Sequence, residues 1–413
     1  MKNKFKKILV LVFVLIFTIG LEPVSLATND NINLTIYDAK VASMFAANVE
    51  TGEIYYERNA DKALGIASTS KLMTYLVVKD EISQGKYRPE DTIKINKDIA
   101  SFAKPGYSRM ELKIGEIISV EDLLKGLMVV SGNDAAIALA VKSSGSERAF
   151  VEKMNSKAKE LGLKTAIFVN STGLTDEKKV AEKIIKNYNV MSAKDMFKLS
   201  QHIVKKYPEV EEYSKMKDLS MPERNFYGQK THNIGTLVTG LLGLKTGTTD
   251  EAGNCFIGYV DMDQFEPGQK YRIITVVYGA DSKKTRKKAT ADLVNYVNSS
   301  YRYRDLLSYK EQRPVVDYIA KGSRERSFPL YFEKSLEGIF TKDSKVDISY
   351  EIYEGKEAPY EDGQVLGEAN ITYKGKEFGK VNLVNRGYKP RLNGFSLFFE
   401  RISKFLSDIL LLF

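Results

Sequence analysis

Ala67-Ser68-Thr69-Ser70-Lys71-Leu72-Met73-Thr74 opens a stretch, Ser68 to Glu81, whose apolar residues Leu72, Met73, Leu76 and Val77 share one helix face. Ser68 and Lys71 are three residues apart, so at a helix start they lie on one side and Lys71 Nζ can reach back to the Ser68 hydroxyl. The same helix end offers free backbone N–H groups and a positive dipole where an oxyanion would form. To act as a base, Lys71 must be neutral part of the time, through desolvation or a neighbouring cation. The spacing alone is weak. It recurs at Ser83–Lys86, Ser101–Lys104, Ser156–Lys159 and Ser214–Lys217, but only Ser68 opens a long apolar-faced helix.

Composition narrows the search for a nucleophile. The chain has 413 residues, enough for two or three domains, and its 43% apolar and 28% charged fractions exclude a disordered, collagen-like or multi-span membrane protein. A single cysteine excludes an intramolecular disulfide and a Cys-rich zinc site, and two histidines, His202 and His232, exclude a three-His metal centre. Neither histidine has an acidic orienter nearby in sequence: His202 sits among Gln201, Lys205 and Lys206, and His232 in a polar loop. Cys255, between Asn254 and Phe256, reads as a small core residue. A serine activated by lysine remains, with no metal or cofactor expected.

Two further motifs keep Ser68 company. Ser131-Gly132-Asn133 lies 63 residues after Ser68, in a turn between two helical stretches, and Lys245-Thr246-Gly247 lies 114 residues after Ser131, in an apolar strand. S-x-x-K, S-x-N and K-T-G in that order form the motif set of the penicillin-recognising serine enzymes. Ser131 can pass a proton between Lys71 and a leaving amine. Asn133 can hydrogen-bond a substrate amide, Lys245 and Thr246 can meet a carboxylate, and Gly247 lets a substrate backbone approach the strand edge.

The resemblance is closer than that superfamily. Ala67–Thr74, the segment Gly106–Ala136, Phe168-Val169-Asn170 with Gly173-Leu174, Ser192-Ala193 with Asp195-Met196, and Gly243–Gly253 resemble the serine-type D-alanyl-D-alanine carboxypeptidases, the low-molecular-mass penicillin-binding proteins. The likeness covers roughly residues 35–388. It implies Ser68 as acylated nucleophile, Lys71 as general base, Ser131 as proton shuttle, and Asn133, Lys245, Thr246 and Gly247 as substrate-binding. The backbone N–H groups of Ser68 and Thr248 would form the oxyanion hole. Some family members carry His where this chain has Thr248, but only main chain is needed there. The family's extra arginine for the carboxylate falls in the region of Lys283, Lys284 and Arg286, with no choice made among them.

The implied fold is α+β: a β-lactamase/DD-peptidase-like antiparallel sheet flanked by helices, with a helical insertion. Strand patterns at Lys40–Val49, Glu53–Glu57, Leu241–Gly247, Asn254–Val260 and Tyr271–Gly279 bracket helices near 120–130, 134–142, 147–161 and 192–206, which points to a sheet closed by distant parts of the chain. A basic helix is expected from Lys283 to Leu307. After Arg313, short runs at Pro314–Ile319, Ser327–Phe332, Val346–Ile352, Gln364–Tyr373 and Lys380–Val384 predict a small all-β domain. Residues 391–413 carry a wide aromatic face opposite Ser396, Glu400, Ser403, Lys404, Ser407 and Asp408, the pattern of an amphipathic helix in a membrane interface. The N-terminus has Lys2, Lys4, Lys6 and Lys7, an apolar run to Leu21, and Ser25-Leu26-Ala27, the pattern of a signal peptide. Its removal would take four lysines and Glu22 from a formal +9 and leave +6.

The expected divisions are therefore a signal peptide at 1–27, a catalytic domain at 28–312, a β-domain at 313–388 and a membrane anchor at 389–413. The expected enzyme is exported and held on the outer face of the cytoplasmic membrane. It removes the terminal D-alanine from peptidoglycan stem pentapeptides through a Ser68 acyl-enzyme, is inhibited by β-lactams, and has no nucleic-acid partner. A D,D-endopeptidase of the same family is the main alternative. A class A β-lactamase would need a Glu-x-x-Leu-Asn segment between the second and third motifs, and there is none. A non-catalytic wall-binding protein would not need every motif residue intact.

Overall fold

The computed structural model describes residues 32–180, 183–230, 238–307, 313–343 and 345–396, with 398–399 and 402–403. The expected signal peptide, His232 and most of the tail beyond 396 lie outside the described residues.

A five-stranded antiparallel sheet runs in the order Leu241–Thr249, Gly253–Asp261, Arg272–Ala280, Ser43–Asn48, Ile54–Arg58. The N-terminal hairpin thus pairs with strands more than 200 residues later, with Ser43 opposite Tyr278 and Asn48 opposite Ile273. Both faces of the sheet are covered, which is why its inner strands are buried along almost their whole length and read as near-continuous apolar runs. Phe45, Ala47, Ile257, Ile274, Val276 and Tyr278 pack towards the helical insertion. Met44, Ala46, Phe256, Ile273 and Val277 pack against Ala289, Leu293, Val294 and Val297 of the helix Lys283–Ser300.

The helix Lys71–Ser83 corrects the expectation of one apolar face. It is buried nearly all round, Asp80 and Glu81 included. Those two carboxylates are tolerable there because neighbouring helices supply partners: Lys157, Lys206 and Tyr207 reach Asp80, and Lys153 and Tyr87 reach Glu81, at 2.6–3.0 Å. Around this central helix stand Val120–Val129, Asn133–Ser144, Glu147–Glu160 and Ala193–Lys206, the first and the last two started by serine N-caps at 119, 146 and 192.

The basic helix ends at Ser300, seven residues earlier than predicted. Tyr301–Asp305 is instead a strand paired with Glu337–Thr341, joining the catalytic fold to the β-domain. Sequence reading overlooked both strands. The β-domain's own sheet runs Val316–Ile319, Ser327–Phe332, Lys376–Val384, Val365–Tyr373, Val346–Ile352, over a core of Phe328, Leu330, Tyr360, Leu366, Ile371 and Leu383. Lys389 pairs through its backbone with Tyr360, and Leu392 N donates to Gly322 O. The chain therefore stays fastened to this domain to residue 392, four residues past the expected boundary. Beyond it Phe395, Phe398, Phe399 and Ile402 are 38–76% exposed.

Candidate active site

Ser68 lies in a 3-10 turn, Ala67–Ser70, that leads directly into the central helix. Side chains three apart eclipse in such a turn, so Ser68 and Lys71 align more closely than an α-helical start would bring them. Lys71 Nζ is 3.0 Å from Ser68 Oγ, 2.8 Å from Asn133 Oδ1 and 2.5 Å from the Thr172 carbonyl oxygen. Burial, reinforced by the charge of Lys245, holds this fully buried amine well below the usual lysine range. A neutral amine has two N–H groups and one lone pair. Asn133 Oδ1 and Thr172 O can only accept, so they take the two hydrogens and leave the lone pair facing the Ser68 hydroxyl. That is the arrangement of a general base.

The surroundings hold this geometry. Ala67 takes φ +47°, a strained value for a residue with a side chain. Gly173 packs on its carbonyl so tightly that a first side-chain carbon at 173 would fall 2.1 Å from Ala67 O. The loop carrying Thr172 is tied by Asn170 Oδ1 to Gly173 N at 2.7 Å, by Glu147 to Ser171, and by Asn189 Oδ1 to the N–H groups of 169 and 170.

Ser131 stands in the turn between two helices at φ +59°, with its Oγ buried and without a hydrogen-bond partner among the described residues, Lys71 included. Asn133 N donates to Ser108 O, and the neighbouring Asp134 accepts from the N–H groups of Met110, Leu112 and Ala135 at 2.9–3.1 Å, fixing the segment that borders the site.

The third motif is on the outermost strand, Leu241–Thr249, whose outer edge no other strand covers among the described residues. Lys245 is fully buried, with Nζ donating to Thr246 O at 3.2 Å and no ion-pair partner among the described residues. Desolvation, followed by the charge of Arg286, lowers its pKa to about 7. Gly247 has a structural reason beyond the one read from sequence: its first side-chain carbon would lie 2.9 Å from Ile66 O and 3.0 Å from Ser68 N. That contact places the strand beside the Ser68 N–H. Arg286 alone of the three basic candidates is buried, and its Nη1 lies 3.4 Å from Thr248 Oγ1.

The rejected candidates fall elsewhere. The hydroxyls of Ser83, Ser101, Ser156 and Ser214 bond to the backbone carbonyls of Asp80, Asp98, Glu152 and Leu244, not to a lysine. Cys255 is buried, its thiol pushed up to about 11 by desolvation. His202 stands on the helix Ala193–Lys206, outside the hydrogen bonds at Ser68. Sequence reading did not anticipate Thr172 or Asp134. The first contributes only a carbonyl, which any residue has, and the second is one aspartate among many.

A serine hydrolase, with a buried lysine amine beside the candidate serine, is the class that this fold and site define. The D-alanyl-D-alanine carboxypeptidase family, peptidase family S11, matches residues 31–282, and the chain belongs to it. It is 30% identical over 369 residues to D-alanyl-D-alanine carboxypeptidase DacF of Bacillus subtilis (strain 168), covering 88% of this chain and 89% of the relative. The fold matches a peptidoglycan synthesis regulatory factor (PBP3) from Streptococcus pneumoniae at TM-score 0.62 and 26% identity, over 86% of this chain and 99% of that one. It also matches penicillin-binding protein D2 of Listeria monocytogenes in its cefotaxime-bound form at TM-score 0.52 and 31% identity, over 62% of this chain and 96% of that one.

Proposed function

We propose that this D-alanyl-D-alanine carboxypeptidase works through an acyl-enzyme at Ser68. The observation that carries the assignment is the buried Lys71 amine 3.0 Å from Ser68 Oγ, with its two N–H groups already engaged. Lys71 takes the Ser68 proton as Oγ attacks the carbonyl between the two D-alanines. The oxyanion settles between the N–H groups of Ser68 and Thr248. Ser131, whose hydroxyl has no partner among the described residues, relays a proton to the leaving amine, and free D-alanine departs. Water then hydrolyses the ester, with Lys71 again as base.

The substrate's terminal carboxylate belongs near Thr246 and Thr248. Lys245 and Arg286 lend positive charge from beneath, since a buried ammonium with no counter-ion is completed by an anion from outside. Asn133 Nδ2 has no partner among the described residues and suits a carbonyl oxygen of the peptide. A β-lactam presents a strained carbonyl to the same groups, and the cefotaxime-bound Listeria protein supports that extension. Incubation with a pentapeptide ending in D-Ala-D-Ala should release D-alanine and leave a trapped acyl group on Ser68. Release without Ser68, in Ser68→Ala, would overturn the assignment.

The pattern at residues 1–27 supports export, and the exposed phenylalanines after residue 392 support attachment of the tail to the outer face of the membrane. No helix among the described residues is long and apolar enough to cross a membrane. In this reading the amphipathic pattern of residues 391–413 lays the tail in the interface, and residues 28–312 are the catalytic domain, followed by the β-domain from residue 313.

A further inference from the structure

Between the Thr172 loop and the helix Ala193–Lys206, the chain projects a hairpin, Asp176–Val180 with Lys183–Asn187, whose described side chains are all exposed. Nothing in the acyl-transfer chemistry uses it, yet it is clamped to the site. Glu251, two residues past the end of the substrate strand, accepts from Thr175 Oγ1 at 2.5 Å and from Lys186 Nζ at 2.7 Å. Asn170, which holds the Thr172 loop, reaches Asp176 at 3.3 Å.

The strand fixes the direction in which substrate runs. Its carboxylate end belongs at Lys245 and Thr246, and the scissile carbonyl at the Thr248 N–H. A peptide added along this free edge then carries its residues upstream of the cut past Thr249 towards Glu251 and the hairpin. Directly opposed residues of an antiparallel pair share a face. Glu177 with Lys186, and Lys179 with Ile184, are such pairs, so all four lie on one face, whereas Lys178 and Ile185 lie on the other. Lys186 turns that first face towards Glu251. Glu177 and Glu251 already neutralise Lys186. Lys179 has no ion pair among the described residues, and Ile184 beside it is 61% exposed.

We propose that Lys179 and Ile184 form a subsite for the stem-peptide residue just before D-Ala-D-Ala, one that favours an aliphatic side chain ending in a carboxylate. Ile184 covers the methylene stem and Lys179 pairs with the acid. This deepens the carboxypeptidase reading and rests on it. The occupant is the substrate's own donor strand, because it is the segment that the strand edge delivers to this face. An exposed pair of this kind discriminates by a few-fold, more when its sign is reversed.

The test compares two tripeptides with the full chain in detergent at low salt: Nα,Nε-diacetyl-L-lysyl-D-alanyl-D-alanine, and its analogue with a succinyl group on the lysine side chain. The wild type should favour the succinyl peptide in kcat/KM by about threefold, a preference that vanishes near 1 M salt. Lys179→Glu should reverse the ratio, for a total swing of about tenfold. Lys178→Glu, on the opposite face, should leave the ratio as in wild type. A ratio near one in the wild type, or equal shifts from both variants, overturns the subsite while D-alanine release upholds the enzyme. Failure of the wild type to release D-alanine from either peptide overturns the carboxypeptidase reading, and the subsite with it.

Discussion

Lys71 and Lys245 are buried in the same site, and the charge of Lys245 adds to burial in depressing the pKa of Lys71. Lys245 itself is lowered to about 7 by burial and by the charge of Arg286. Burial pushes both lysines towards the neutral form: Lys71, beside Ser68, is placed to take a proton, while Lys245, still partly charged near pH 7, can attract an anion.

In the free enzyme, kcat/KM should rise with pH as Lys71 deprotonates and fall above about 7 as Lys245 loses its charge. Lys245→Gln should stay folded by circular dichroism and lose at least about 2 kcal/mol of transition-state stabilisation. Its acid limb should also move to higher pH, because Lys71 is freed from a like charge. An acid limb that stays in place would show that the two lysines are not coupled.

Ser68 should be the single acylation site. After treatment with a penicillin, peptide mapping should find the adduct on Ser68 and on none of Ser83, Ser101 or Cys255. Ser68→Ala should abolish labelling, and Cys255→Ser should retain it, since that thiol is buried and its pKa is raised to about 11.

Gly247→Ala should separate the strand from the nucleophile turn. The added methyl meets Ile66 O at 2.9 Å and Ser68 N at 3.0 Å, both backbone atoms that cannot swing aside. A displacement of up to 1 Å at the oxyanion hole should cost about 100-fold in acylation rate, with Tm lowered only modestly. Unimpaired acylation would show that the two amides do not act together.

Lys245 should make the protein less stable than its packing allows. Its folded pKa of about 7 lies below the unfolded value, so between the two the unfolded chain binds the extra proton. Stability should therefore rise as pH climbs from about 7 towards 9. Above that, buried tyrosines such as Tyr75, held protonated by desolvation, reverse the trend. Lys245→Met should gain stability at pH 7, at about 1.4 kcal/mol for each pKa unit relieved, and its melting curves should vary less between pH 7 and 9.

Residues 393–413 should attach the protein to lipid without supporting the fold. Because Lys389 and Leu392 are bonded into the β-domain, a cut at residue 384–389 would damage that domain. A chain starting at residue 28 and ending at Leu392 should be soluble, keep full turnover of soluble pentapeptide, and fail to pellet with anionic vesicles that bind residues 28–413. Unfolding of the truncated chain, or unchanged vesicle binding, would make the tail a docked structural element.

The Ser68–Lys71 contact was legible because it needs only three residues of local geometry, and the three motifs carried the rest of the chemistry in their side chains. Most strands and helices followed from the apolar period. The exposed hairpin at 176–187 escaped notice because its mixture of lysines, glutamates and isoleucines buries nothing. Tyr301–Asp305 escaped because its partner lies more than thirty residues downstream, and pairing, not propensity, makes it a strand.

The sequence by itself determined the family, and that Lys71 stands beside Ser68, since these rest on residue identity and short spacing. Only the tertiary structure decided that burial lowers the pKa of Lys71, that Arg286 and not Lys283 or Lys284 lies beneath Thr248, and that the Thr172 carbonyl accepts from the Lys71 amine. Those properties depend on burial and on groups brought together from positions 38 to 174 residues apart. Desolvation and backbone direction exist only once the chain has closed around them.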